Sequence, residues 1–321
     1  MQESGLGLLG PPKVVTLRVP IATSPSLPRS SEVKATTAFP FSPHSAAPTA
    51  AAAYVSATGG RSLRAQSTLA NILSSHLDLK GPSHTMDTAC SSSSYALAVG
   101  YDYIMSGTCE DAIIGGANIC FHPMVTLQFS RLGVLSPDGH CRPFDIMANG
   151  YTRSETVAVV YLQKAKNAKR IYSICPHIKL NNDGYKKEGV TFPSSHVQST
   201  LLMEFYDECG IPKSCLDYIE AHGTATKVGD PEEVSALQNI FCKNRKTPLM
   251  IGSVKSNFGH AEAAAGFGQI AKSNHHDNLA PVSISESQER YGHSSNKRKF
   301  QNERNEKQSP NVQAKSNLQP K

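Results

Sequence analysis

Met86-Asp87-Thr88-Ala89-Cys90-Ser91-Ser92-Ser93-Ser94-Tyr95 reads as the end of a short strand, a turn of small residues, and then a helix. The helix runs on through Ala96, Leu97, Val99 and Ile104 to Gly107. A cysteine at such a junction lies beside the unpaired amides of a helix N-terminus, where the dipole favours a thiolate. Small neighbours leave room for a substrate, so Cys90 is a candidate acyl-accepting nucleophile. The competing reading is an inert buried cysteine, which a single Cys before a serine run does not exclude.

Two further strand ends carry histidines. Leu216 to Glu220 reads as a strand delivering His222 into Gly223-Thr224-Ala225-Thr226, and Leu249 to Val254 as a strand leading to Lys255-Ser256-Asn257-Phe258-Gly259-His260. Open α/β sheets place ligands at the carboxyl ends of their strands, so Cys, His and His at three such ends form a constellation that none makes alone. As a zinc site the trio is poor: positions 90, 222 and 260 lack a close-spaced ligand pair, and no fourth ligand is evident. His275-His276 reads as a solvated pair.

Outward from these motifs, strands and helices alternate. A helix is expected over Ser67 to Leu77, and a strand buried on both faces over Ala112 to Ile119. An irregular segment, Gln128 to Tyr151, follows, then strands over Val157 to Leu162 and Ile171 to Leu180. Ser194-Ser195 caps a helix ending at Gly210, and Asp230-Pro231 opens another through Val234, Leu237, Ile240 and Phe241. A small-residue helix spans Ala261 to Ala271. The alternation predicts an α/β protein with a mainly parallel sheet and helices on both faces. Strand, small turn and Ala-rich helix occur at Cys90 and again at His260, suggesting two similar halves.

The chain of 321 residues divides into three parts. Residues 1–65 are rich in Pro, Ser, Ala and Thr, including the run Ala46 to Ala53, and are expected to be disordered. Residues 66–272 form the core, and 273–321 a polar disordered tail. The formal charge of +6 is a property of the ends: residues 1–65 hold six Lys/Arg against two Asp/Glu, and 273–321 eight against five. That leaves the core near neutral and gives no support for a nucleic-acid surface. Eight cysteines without a CxxC pair read as reduced thiols of a cytoplasmic protein. No apolar run approaches the roughly 20 residues of a membrane span.

Three motifs taken together resemble the β-ketoacyl synthase (condensing) family of the thiolase fold, a layered αβαβα architecture. They are Asp87-Thr88-Ala89-Cys90-Ser91-Ser92-Ser93, Glu220-Ala221-His222-Gly223-Thr224 and Lys255-Ser256-Asn257-Phe258-Gly259-His260, with the Cys–His and His–His positions 132 and 38 residues apart. Arg131 to Gly139, Gly150 to Glu155, Gly189 to Ser194 and Lys227 to Pro231 resemble the ketosynthase of animal, insect-like, type I fatty acid synthase. Polyketide synthases share the catalytic motifs, and Ala261 to Gly266 leans their way. The resemblance implies a decarboxylative Claisen condensation. Cys90 would carry the acyl group, His222 and His260 would stabilise the malonyl-derived enolate, and Lys255 would orient His260 electrostatically. It implies no intrinsic cofactor and no metal. The phosphopantetheine arm of an acyl carrier protein would present malonyl and acyl thioesters to a homodimer.

The resemblance covers about residues 66–272. The family's first strand–helix units are not recognisable in residues 1–65, nor its late Gly-Phe-Gly-Gly-Thr-Asn type loop in the tail. Ala225 stands where the family has Gly, a strained choice if that position needs φ > 0. The alternative expectation is therefore a non-catalytic, truncated ketosynthase-like fragment acting as an interaction module.

Overall fold

Cys90 leads into the helix against which the larger core packs. In the computed structural model, which describes residues 15–18, 21–22, 50–53, 68–243, 245–273 and 282–283, helix α1 is Leu69–His76 and α2 is Ser92–Met105. Leu97, Tyr101 and Ile104, one stripe of α2, are buried on strand β5 (Asp111–Asn118) and strand β6 (Thr156–Lys164). Those strands pair antiparallel, with Ala112 opposite Leu162, Ile114 opposite Val160 and Gly116 opposite Ala158. All six positions face the core. β5 alternates buried and half-buried residues, so it covers one face and is not the doubly buried strand that its apolar run suggests.

Strands β1 (Val15–Arg18), β2 (Ile21–Ala22), β3 (Ala50–Ala53), β4 (Ser83–His84) and β7 (Ser173–Cys175) complete this sheet, in the order β4-β3-β5-β6-β1-β7 with β2 against β6. It is mixed: β3 is parallel to β4 and β5, whereas β6 is antiparallel to β5, β1 and β2. The expectation of a mainly parallel sheet is corrected here. Alternation of strands and helices does not fix direction when the connection is an irregular segment instead of one crossover helix.

Three of these strands fall within residues 1–65, which the sequence leaves outside the fold. Ala50–Ala53 is hidden in sequence because alanine lacks the β-branched signature of a strand; pairing on both edges supplies what propensity does not. In the tail, β10 (Val282–Ser283) pairs with the second sheet. The rest of residues 1–65 and of 274–321, with the expected disorder and His275-His276, lies outside the described residues.

The second sheet is β10-β9-β8, with β8 (Tyr218–Glu220) and β9 (Met250–Gly252) parallel. Its core joins Ala221, Leu249 and Ile251 to Val234, Leu237 and Phe241 of helix α5 (Gly229–Phe241). Helix α3 (Pro123–Arg131), opened by Pro123 and capped by His122, occupies a stretch that carries no helical expectation. Helix α4 (Ser195–Cys209) matches its expected span. Ser194 accepts the Val197 N–H, and Gly210 ends the helix at φ +66°.

The expected helix over Ala261 to Ala271 is two pieces, a tight turn at Glu262–Ala264 and α7 (Ala265–Ser273), preceded by the short helix α6 (Lys255–Phe258). α7 closes the larger core. Phe267 is fully buried, and a Cβ on Gly116 would stand 2.8 Å from its ring. The Gly266 N–H donates to Ser93 Oγ of α2 at 3.0 Å. The helices that follow the two expected reactive turns thus touch directly. Phe267→Ala is expected to lower unfolding free energy by about 3–5 kcal/mol, read from the urea midpoint; a loss below about 1 kcal/mol would show that α7 does not seal this core.

Candidate active site

Cys90 lies in the tight turn Ala89–Ser91 ahead of α2. The serines that make the motif conspicuous are structural ties. Ser92 Oγ accepts the Thr88 N–H at 2.8 Å and donates to Ala89 O at 2.6 Å, while Ser91 Oγ donates to Thr88 O. Asp87 Oδ1 accepts the Ala89 N–H, holding Ala89 at φ +52°. The half-buried thiol is not driven toward thiolate as its helix position suggests. Burial, then the Glu262 carboxylate, push it up to about 11 against the pull of Lys255 and of its own backbone. Desolvation outweighs the dipole.

His260 is fully buried, with Nε2 3.1 Å from Cys90 Sγ. Gly259 makes this possible: at φ +83° it brings the chain so close to Thr152 O that a Cβ would stand 2.6 Å away. The His260 N–H donates to Thr152 O at 2.7 Å, and Ser154 N–H to His260 O at 3.0 Å. Tyr151 meets the imidazole edge-on at 4.9 Å. The Glu262 N–H donates to His260 Nδ1 at 3.2 Å. A peptide N–H can only donate, so Nδ1 is the bare nitrogen and the proton sits on Nε2, facing the sulfur. Burial, His222 and Lys255 all hold the ring well below the usual imidazolium range. His260 is therefore a neutral donor.

His222 follows β8, with its ring 5.4 Å from that of His260 at 88°. The residue is exposed to solvent, although protein atoms crowd one side of its ring. Desolvation and then Lys255 lower its pKa, leaving it neutral as well. The loop is fixed through its backbone. Glu233 Oε1 and Oε2 accept the His222 and Gly223 N–H groups at 2.7 and 2.8 Å, and Lys255 Nζ donates to His222 O at 2.6 Å. Ala225 does adopt φ +58°, the strained conformation that its side chain disfavours.

Lys255 is 1% exposed, so its ammonium lies inside the protein and not on the surface. Burial lowers its pKa, opposed by Glu233 and Glu220. Its direct bond is to the His222 loop, and it acts on His260 through its charge. Glu220 also accepts the Val254 N–H and pairs with Lys272 at 3.1 Å. Asp230 is not the cap its sequence suggests: α5 begins at Gly229, and Asp230 Oδ2 accepts the buried Phe144 N–H at 2.8 Å.

Glu233 has no sequence signature beyond an ordinary acidic residue, and Glu220 and Glu262 stand in stretches noted only for their resemblance. The signal available for Glu233 was its position one turn beyond Asp230 on the same helix. Tyr151 and Arg153 stand in a stretch noted only for its resemblance.

Cys90 Sγ and one nitrogen each of His222 and His260 lie within 4.8 Å of one another. A soft divalent ion on His260 Nε2 would need that nitrogen's lone pair, but the bare nitrogen is the one facing a peptide N–H. The donor set does not fit a metal. It fits chemistry at sulfur beside a neutral N–H donor.

The model of the β-ketoacyl synthase N-terminal domain matches residues 34–168, and that of the C-terminal domain residues 172–276. The chain is 49% identical over 203 residues to a fatty acid synthase of Anser anser anser, covering 63% of this chain and 58% of that one. It is 41% identical over 208 residues to the highly reducing polyketide synthase srdA of Neurospora crassa, covering 64% of this chain and 9% of that one. Among solved structures, the ketosynthase from module 6 of the bacillaene synthase of Bacillus subtilis 168 superposes with a TM-score of 0.66 at 33% identity, over 71% of this chain and 43% of that one. The family match begins at residue 34, within the stretch that the sequence reading sets apart, and no helix among the described residues is long and apolar enough to cross a membrane. With Cys90 on a strand–helix turn and a nitrogen from each of two histidines within 4.8 Å of its sulfur, the chain belongs to the β-ketoacyl synthase family, on the thiolase-like α/β fold.

Proposed function

We propose that this chain performs the condensing chemistry of fatty acid synthesis, as a 3-oxoacyl-[acyl-carrier-protein] synthase. The observation that carries it is the convergence of Cys90, His222 and His260 within 4.8 Å. In the first half-reaction Cys90 Sγ attacks the acyl carbonyl of a phosphopantetheine thioester. A new C–S bond forms, the arm's C–S bond breaks, and the thiol proton leaves with the departing arm. The His260 Nε2–H supports charge on sulfur as the thiol opens. In the second half-reaction a malonyl thioester loses CO₂, and its carbonyl oxygen takes up the negative charge of the enolate. The N–H groups of His260 and His222 face that oxygen. The enolate carbon attacks the Cys90 thioester, the C–S bond breaks, and a 3-oxoacyl thioester leaves on the arm.

Neutral imidazoles suit this role. They donate without supplying a proton that would quench the enolate, and desolvation of the rings with the Lys255 charge keeps them neutral. The partners are an acyl carrier protein with its malonyl and acyl thioesters, in a cytoplasmic homodimer; these rest on kinship. Fatty acid synthesis is preferred to polyketide synthesis on the higher identity to the goose enzyme. The chain spans under half the length of the solved ketosynthases it matches. One observation favours a second reading, an interaction module without independent activity: the loop that carries His222 holds Ala225 at φ +58°, a conformation its side chain disfavours.

Intact-protein mass after incubation with an acyl-phosphopantetheine thioester separates the two. A single acyl adduct, absent in Cys90→Ala and slowed about 10²–10³-fold in His260→Ala, is the expected result. Folded protein that takes no adduct would leave the module reading. The pH dependence of alkylation is a separate test. Because the folded thiol titrates near 11, the rate of Cys90 alkylation by iodoacetamide should climb through pH 8, 9 and 10 as thiolate forms. A plateau by about pH 8 would contradict the desolvated thiol.

A further inference from the structure

Glu262 stands two residues beyond His260 at φ +39°, a backbone region that glycine occupies freely and glutamate does not. It is 6% exposed. Its N–H is the group that meets His260 Nδ1, so the backbone angle at this residue decides where that donor points. The side chain is held from the other side of the site. Arg153 Nε donates to Oε1 at 2.5 Å and Nη2 to Oε2 at 3.0 Å, a bidentate fork on a buried carboxylate. Arg153 is anchored in turn: Nη1 donates to Thr126 Oγ1 at 2.8 Å on α3, and the guanidinium lies 5.5 Å from the centre of the Phe129 ring. Its backbone forms a bridge with His260 itself.

We propose that the Arg153–Glu262 pair is a positioning device for His260. The fork pins residue 262 in its left-handed conformation, the pinned N–H keeps Nδ1 bare, and the single proton of the imidazole is thereby committed to Nε2, facing Cys90. Neither residue touches a reacting atom. The same clamp ties α3 to the imidazole through Thr126 and Phe129, so a shift of α3 reaches the reacting sulfur through one ion pair. Without the fork, residue 262 relaxes toward negative φ, its N–H swings off Nδ1, and both tautomers become populated. The His260 proton then faces sulfur only part of the time. The catalytic consequence rests on the proposed condensing reaction; the tautomer does not.

The test is ¹⁵N NMR of the full chain labelled at histidine, with His260 assigned by comparison with His260→Gln, beside the acyl-adduct rate. Wild type should show one tautomer, protonated on Nε2. Glu262→Ala should show a mixture, with the adduct rate reduced at least about tenfold and little change in KM. Glu262→Gly, which accepts φ > 0 without strain while also removing the carboxylate, should return toward the wild-type tautomer. Folded Glu262→Ala that keeps the single Nε2–H tautomer would overturn the proposal, as would Glu262→Gly behaving like Glu262→Ala. If Glu262→Ala does not fold, Arg153→Lys, which keeps the charge and loses the fork, is read in the same way: an unchanged tautomer overturns it, a mixture supports it. A wild type that shows the Nε2–H tautomer and forms no acyl adduct counts against the proposed function and leaves this inference standing.

Discussion

One buried ammonium sets the terms for the rest of the site. Lys255, 1% exposed, donates to the His222 carbonyl and lies among Glu233 and Glu220. A charge in that position is tolerated because opposite charges and a carbonyl dipole replace its water. It holds the His222 loop in place, helps to keep both imidazoles neutral, and draws the Cys90 thiol part of the way back from its desolvated limit. Geometry and protonation state therefore share a cause. The backbone strain at Ala225 is tolerated in the same setting, because Glu233 and Lys255 bind that loop by its peptide groups on both sides.

The fold brings these groups together by close approach of its two halves. Gly116 lets the Phe267 ring sit on β5, and the Gly266 N–H donates to Ser93 Oγ. The helix after Cys90 and the helix after His260 meet through glycine, serine and alanine. Larger residues would hold them apart, and His260 Nε2 would lose its 3.1 Å contact with the sulfur. Core packing and reactive geometry are one constraint.

Cys90, His222 and His260 were legible because each sits at a strand end in a loop of small residues, a pattern that survives without coordinates. Most helices were legible from their stripes and caps. The supporting carboxylates were not: Glu233, Glu220 and Glu262 act through backbone N–H groups or buried partners that only the tertiary fold supplies. The thiolate expected at Cys90 failed for a related reason, since a helix dipole can be read locally and desolvation cannot. Ala50–Ala53 escaped notice because pairing on both edges, not propensity, makes it a strand. The antiparallel placement of β6 depends on an irregular crossing segment whose path no periodicity records. Asp230, read as a cap, serves a loop 86 residues away.

The central claim is that a neutral His260 presents a proton to the Cys90 sulfur. Neutron diffraction from crystals exchanged into D₂O tests it most directly, because it locates the proton that X-ray maps at ordinary resolution leave to inference. The expected map places deuterium on Nε2, directed at a sulfur near 3.1 Å, with Nδ1 bare beneath the Glu262 N–D. Deuterium on Nδ1, or on both nitrogens, would contradict the account.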